Sequence, residues 1–367
     1  MKWGTARNSA KPADLPSQGW TPSFAPVERF IREVMPTVPG GRHLSTDRTG
    51  HIALIRQAAE DRGLTTKVIG KATYFYDGQL AVGGMAGWIP SLVGRDAFTT
   101  CKFKDRIKQM FEAAGVPTPA GITLDPDQFD EALAHLRAAD RPLVLKPTLG
   151  GGGKGITCGI TSEDELRQAW ETVRREAEAS PRFVLEELVE GVDVRVFVVG
   201  HRVAAAATRL NAHVVGDGRR SIAELVDEKQ QWRSRHATLG MAEHLLVVDD
   251  NLLARGGRTV HDVPAADEIV VLDGRANVHA GGECVDVTDV LHPDLQELAI
   301  DAIRAIPGLG VAGVDLFAPD IRSPDGVVVL EANIGANIRI HNCPAYGRPR
   351  NPAGAIIDEM IAIAKRT

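Results

Sequence analysis

Residues 143–160 read LVLKPTLGGGGKGITCGI. Two short apolar runs flank four consecutive glycines, Gly150, Gly151, Gly152 and Gly153. A P-loop would need G-x-x-x-x-G-K-[S/T] between a strand and a helix, so that helix amides face the phosphate. Here Gly155 follows Lys154, and the next residues, ITCGI, have a strand pattern. The string therefore predicts a glycine hairpin between two antiparallel strands, with a bare backbone able to fold over a triphosphate and donate N–H groups. Lys146 lies in the first strand among apolar neighbours. An inward-facing ammonium there needs an anion, because burying it unpaired is costly.

Downstream, GVDLF and VVVLEAN read as two strands joined by a Pro/Asp/Gly turn. Glu331 and Asn333 are two residues apart, hence on one face, and Asp315 lies on the preceding strand of the same hairpin. Two carboxylates and an amide oxygen are the hard ligands that Mg²⁺ uses when it holds nucleotide phosphates. Packed between Val329, Leu330 and Leu316, the carboxylates would repel each other without a cation. Arginines gather around this hairpin: Arg209 ends the VAAAAT strand, Arg275 precedes ANVHAGGE, and Arg339 follows in ANIRIHN. Guanidinium forks bind phosphate and carboxylate bidentately. Upstream, KFKDRIKQMFEAAG (102–115) places Phe103, Ile107, Met110, Phe111 and Ala114 on one helical stripe that Gly115 stops, with Lys104 and Lys108 one turn apart on another face.

The remaining sequence frames these motifs. Pro12, Pro16, Pro22, Pro26, Pro36 and Pro39 predict an extended arm over 1–40. Residues 48–100 read as a small α/β unit: a helix within RTGHIALIRQAAEDRG that ends at Gly63, a strand at TTKVIG, and a hairpin around Asp77-Gly78. From 120 to 200 helices and strands alternate, with a capping box at Ser162 and Glu165 and a hairpin turn at Gly200-His201. Residues 210–275 are loop-rich with one short helix, a helix follows over LHPDLQELAIDAIRAI, and GAIIDEMIAIAKR closes the chain as an amphipathic helix.

The whole chain has 367 residues, 42 Lys+Arg against 48 Asp+Glu, and 44% apolar content. That composition excludes wholesale disorder, and the net charge of −6 argues against a nucleic-acid partner bound through a global positive field. No run approaches 18 apolar residues, so no membrane span is expected. Cys101, Cys158, Cys284 and Cys343 form no C-x-x-C pair and read as reduced thiols. The start, MKWGTARNSAKPADLP, lacks an apolar h-region, so a cytoplasmic location is expected.

Taken in order, Lys104, Lys146, the glycine loop, EELVEGVD, Asp315 and Glu331-Ala332-Asn333 resemble an ATP-grasp enzyme. The likeness is to the ATP-grasp module of cyanophycin synthetases and of the bifunctional bacterial glutathione synthetases. AAGVPTPAG, VLKPTLGGGGKGIT, VLEELVEGVDVRVFVVG, AHVVGDGRRSIAEL, RANVHAGGECVDVTD, GVAGVDLF and VVLEANIGANIRIHN carry it, over about 100–350. The resemblance implies an α/β fold, of the α+β kind, that holds a nucleotide between two subdomains, 101–200 and 201–367. A small α/β domain (41–100) and the 1–40 arm would precede them. It implies that Lys104 and Lys146 hold ATP phosphates under a lid of Gly150, Gly151, Gly152 and Gly153. Glu186 would face the adenine amino group, Val189 would bond adenine through its backbone, and Asp193 would bind the ribose. Asp315, Glu331 and Asn333 would hold two Mg²⁺ ions, with Mn²⁺ able to substitute. Arg209, Arg275 and Asn277 would steady the transferring phosphoryl group and the acyl-phosphate.

The implied activity is ATP-dependent, ADP-forming ligation of a small-molecule carboxylate, amino acid or peptide-like, to an amine, by a homodimer with no nucleic-acid or membrane partner. From their place just past the Glu331 strand, Arg339 is expected to bind a substrate carboxylate and His341 to act as base toward the amine. Two departures stand out: Phe103 replaces the Asp that often precedes the first lysine, and Asp193 is shorter than the usual Glu. The Mur-ligase-like half of cyanophycin synthetases and the glutamate–cysteine ligase half of the bifunctional enzymes have no counterpart in these 367 residues. A phosphotransferase that stops at a phosphorylated product, and an inactive nucleotide-binding partner protein, remain open at this point.

Overall fold

The computed structural model describes residues 22–151, 153–176, 180–241 and 245–366. Of the expected extended arm, residues 1–21 lie outside that range. The part that is described corrects the expectation, because it is helical from Ala25–Arg29 through Phe30–Val34 to Met35–Thr37. Pro26 sits in the first turn, where a missing N–H leaves no bond unmade. Val27, Phe30, Ile31 and Val34 then repeat at helical spacing and are all buried.

The N-terminal unit is a helix, His51–Glu60, against a four-stranded antiparallel sheet of Thr65–Ile69 (β1), Ala72–Asp77 (β2), Leu80–Ala86 (β3) and Ile89–Pro90 (β4), paired in that order. The turn at Asp77-Gly78 is present, with Gly78 at φ 59°. Phe75, Val82 and Met85 share one core with Ile356, Ile357 and Met360 of the last helix, Pro352–Ala364, and with Phe197, Val199 and Val311. The chain's final helix thus fastens the N-terminal unit to the central sheet described below.

The second sheet is Gly121–Leu124 (β5), Leu143–Pro147 (β6), Thr157–Ile160 (β7) and Phe183–Glu187 (β8), in the order β5-β8-β6-β7. The β6–β7 pairing is antiparallel, so the glycine run does form the predicted hairpin; Gly152 falls outside the described residues. Helices Phe129–Ala138 and Glu163–Glu176 bury Ala132, Leu166, Trp170 and Val173 against Leu143, Leu145, Phe183 and Leu185. The capping box is formed: Ser162 N–H donates to Glu165 Oε2 (3.0 Å), and Glu165 N–H donates to Ser162 Oγ (3.3 Å).

The remaining strands are Val192–Val199 (β9), Arg202–Leu210 (β10), His213–Val215 (β11), Ile269–Val271 (β12), Glu283–Asp286 (β13), Val311–Ala318 (β14) and Val328–Asn333 (β15). Five of them form the central sheet, β13-β10-β9-β14-β15, and β11 pairs with β12 separately. Helix Pro293–Arg304 covers the face lined by Val194, Val196, Ala206 and Val314. Helix Lys104–Ala113 also buries Ile107 and Phe111 in this core, although the sequence places it with the glycine hairpin. The helix expected within 210–275 is longer than foreseen, Ile222–Arg235, with a complete capping box at Ser221 and Glu224. Among the described residues, no helix is long and apolar enough to cross a membrane.

Candidate active site

The site begins with register. Asp315 faces Glu331 across β14–β15 and Arg195 across β14–β9, while Gly313 faces Asn333 and Phe317 faces Asp193. Residues two apart on a strand share a face, so the side chains of Asp193, Arg195, Asp315, Glu331 and Asn333 collect on one side of the central sheet. An added Cβ at Gly313 would lie 3.1 Å from Arg195 Cδ and 2.6 Å from Ala336 Cβ. The bare glycine leaves the room through which Arg195 reaches Asp315.

Asp315 is 2% exposed and is gripped on both oxygens. Arg195 donates to it from Nε and Nη2, each at 2.7 Å, and Arg209 donates at 2.9 Å. The same Arg209 donates to both oxygens of Asp193 at 2.8 Å. Asn333 Nδ2 bridges Asp315 (3.1 Å) and Glu331 (2.9 Å). Burial alone would raise the Asp315 carboxyl, but the two guanidiniums beside it hold it down to about 2, so it is ionised. Asp193 moves the other way: burial, with the Asp315 charge adding, pushes it up to about 6 against the pull of Arg209.

Lys104 links the glycine hairpin to the central sheet. Its Nζ donates to the Gly150 carbonyl (2.7 Å) and stands 3.8 Å from Glu331 Oε2, while its backbone N–H donates to Thr148 O (2.9 Å). On the β6–β8 side, Lys146 Nζ donates to Glu186 Oε1 at 2.5 Å, and Lys108 Nζ lies 3.6 Å from Glu186 Oε2. Val189 follows, half-buried, in the connection between β8 and β9.

The other expected site residues are placed differently. Arg275 turns its guanidinium onto Asp273 (2.9 and 2.7 Å), and Asn277 Oδ1 accepts the His279 N–H (3.0 Å), so both are engaged within their own loop. Arg339 is a correction. Its Nη1 donates to the carbonyls of Arg48 (2.9 Å) and Thr49 (2.8 Å), and its Nη2 donates to Ala237 O (3.1 Å). From the short helix Arg339–Asn342 it staples the segment before helix His51–Glu60 to Ala237 instead of offering a fork to a carboxylate. His341 is the second correction. It is 1% exposed and edge-on to Phe197, and burial, reinforced by Arg195 and Arg209, pushes it down to about 3, too low for a base toward an amine. The sequence reading did not assign Arg195 or Lys108 to the site, although Arg195 follows Asp193 by two and Lys108 follows Lys104 by one helical turn.

Among the described residues, no three His, Cys, Asp or Glu side chains cluster tightly enough to cage a metal by themselves. Asp315, Glu331 and Asn333 fit a hard cation that keeps waters and phosphate oxygens in its remaining positions, which is how Mg²⁺ is commonly held. A cation there would share or take the Asp315 oxygens now bonded to Arg195.

A family model described as an ATP-grasp domain matches residues 101–335. Cyanophycin synthetase from Trichormus variabilis is 38% identical over 265 residues, covering 70% of this chain and 29% of that protein. The bifunctional glutathione biosynthesis protein of Enterococcus faecalis is 31% identical over 252 residues, 66% of this chain and 33% of that protein. The chain thus corresponds to about a third of the length of these relatives. Among solved structures, the bifunctional glutathione synthetase from Pasteurella multocida covers 85% of this chain and 43% of its own, with a TM-score of 0.59 and 25% identity.

Proposed function

The chain belongs to the ATP-grasp family, and from that premise we propose that it is an ATP-dependent carboxylate–amine ligase. The carboxylate of one substrate attacks the γ-phosphorus of ATP, giving an acyl-phosphate and ADP. The amine of the second substrate attacks that acyl carbon, phosphate leaves, and an amide remains. The substrates are small molecules of amino-acid or peptide type, and the enzyme works in the cytoplasm.

One observation carries this reading: Asp315, Glu331, Asn333, Arg209 and Lys104 form a single connected cluster, and Lys104 bonds the base of the glycine hairpin. Phosphoryl transfer asks a protein mainly for positioning and charge neutralisation. Lys104 and Lys146 take the phosphates, Arg209 faces the charge that develops on the transferring group, and the hairpin closes over them to exclude water that would hydrolyse the acyl-phosphate. Asp315, Glu331 and Asn333 would hold Mg²⁺, which supplies Lewis-acid stabilisation of the phosphate oxygens. Buried and tied to Arg209, Asp193 supports the arginine first; a ribose contact requires it to be shared.

The test is phosphate release from Mg·ATP across an array of amino acids, singly and in pairs, with hydroxylamine present in parallel. An acyl hydroxamate accompanying ADP is expected. Phosphorylated product without hydroxamate would make the protein a phosphotransferase, and no turnover with any pair, despite nucleotide binding, would make it a binding protein.

A further inference from the structure

We infer that Lys108 is a positioning residue of the nucleotide site: it keeps the Glu186 carboxylate paired and in place when Lys146 leaves it for a phosphate. This rests on the reading above only in that a nucleotide occupies the cleft.

Glu186 is 5% exposed and stands between two ammonium groups, Lys146 at 2.5 Å from one oxygen and Lys108 at 3.6 Å from the other. One carboxylate with two lysines leaves one positive charge more than the pair needs. The two lysines are not equivalent. Lys108 sits one turn into helix Lys104–Ala113, is 7% exposed, and has neutral acceptors of its own in the Pro119 carbonyl and Thr118 Oγ1 (3.3 Å). Its other acidic neighbour, Glu112 at 3.8 Å, is mostly in water and needs no counter-ion. Lys146, on β6 beside the root of the glycine hairpin, takes Glu186 as its partner.

A phosphate arriving beneath the hairpin draws Lys146 away from Glu186. Without Lys108, that move would strand a buried carboxylate, and breaking a buried ion pair is strongly unfavourable. Lys146 would then stay locked on Glu186. With Lys108 anchored beside it, Glu186 keeps a counter-ion and stays in place, able to accept a hydrogen bond from an exocyclic amine of the base.

The experiment is calorimetric titration of the full-length protein with Mg·ATP, which needs no knowledge of the acid and amine substrates. Lys108→Met should weaken binding by about tenfold or more, because Lys146 can no longer leave Glu186 freely. Lys108→Arg should stay near wild type. The double variant Lys108→Met/Glu186→Gln should recover most of the lost affinity, because it removes the carboxylate that traps Lys146. A purely structural lysine would show no such recovery. Unchanged binding in Lys108→Met, or a double variant as weak as the single one, overturns the inference. Should Lys108→Met fail to fold, Glu186→Gln alone decides: freeing Lys146 should tighten inorganic tripolyphosphate, and equal or weaker binding overturns the inference. If wild type itself does not bind Mg·ATP, the nucleotide-site reading fails instead.

Discussion

Substituting His51 tests how the N-terminal unit is held beside the site. His51 opens helix His51–Glu60, is 4% exposed, and stacks on Trp88 at 4.8 Å. Its Nδ1 accepts the Ile338 N–H at 3.4 Å, five residues past Asn333, so the ring is neutral with its proton on Nε2. Burial pushes its pKa from 6.5 down to about 4. In that interval the unfolded chain binds a proton that the folded chain refuses. Folding stability from this residue is therefore complete above pH 6.5 and is lost as pH falls toward 4. The full difference is about 3 kcal/mol, and about 2 kcal/mol of it is gone by roughly pH 5. Urea denaturation of wild type and His51→Gln at pH 7.5 and pH 5.0 isolates it, because every other titrating group cancels in the difference. Wild type should lose about 2 kcal/mol more than the variant. Parallel losses would show that His51 is solvated or protonated in the fold, and the reasoning from burial would fall.

Glu331→Gln should lower ADP formation by at least about a hundredfold, since one carboxylate of the proposed cation site is lost; full activity in a phosphate-release assay would contradict that assignment. Lys146→Ala should weaken Mg·ATP binding by about tenfold or more, and unchanged affinity in a titration would remove it from the phosphate site. Arg339→Met should cost about 1–3 kcal/mol in urea denaturation, because the buried Ala237 carbonyl and the part-buried carbonyls of Arg48 and Thr49 lose their donor, with Mg·ATP affinity unaltered. An unchanged stability with a raised KM for the acid substrate would restore Arg339 to substrate binding.

What could be read from the sequence was local. Helix Lys104–Ala113 and the β6–β7 and β14–β15 hairpins depend on periodicity and turns within a few residues, and each is found as predicted. The helix at Ala25–Arg29 was missed because prolines were counted without asking which turn they occupy. Arg209 shows a subtler limit. Pairing from the Gly200-His201 turn starts with Arg202 opposite Val199, and a bulge between Val203 and Ala205 shifts it by one. That single step turns Arg209 toward Asp193 and Asp315, and nothing in the alanine run announces it. The protein partners of Arg339 and Glu186 lie beyond the reach of the sequence for another reason. Their contacts come from Arg48, Thr49 and Ala237 in one case and from Lys108 and Lys146 in the other, and such distances along the chain carry no periodic signal.

The distribution of charge explains why the two halves of the site respond differently to a ligand. At the central sheet, Arg195 and Arg209 with Lys104 of the neighbouring helix balance Asp193, Asp315 and Glu331, so the cluster is neutral as long as Asp193 is ionised. A cation added there alone would leave unbalanced positive charge in a poorly solvated place, and a nucleotide alone would leave negative charge. Entering together they offset each other, which favours the metal–nucleotide complex over either component. On the β6–β8 side, Lys108 and Lys146 outnumber Glu186, and Lys146 is the lysine beside the glycine hairpin. In the proposed complex the residual negative charge would fall to Lys146, and the metal-bound end of the phosphate chain would face Asp315.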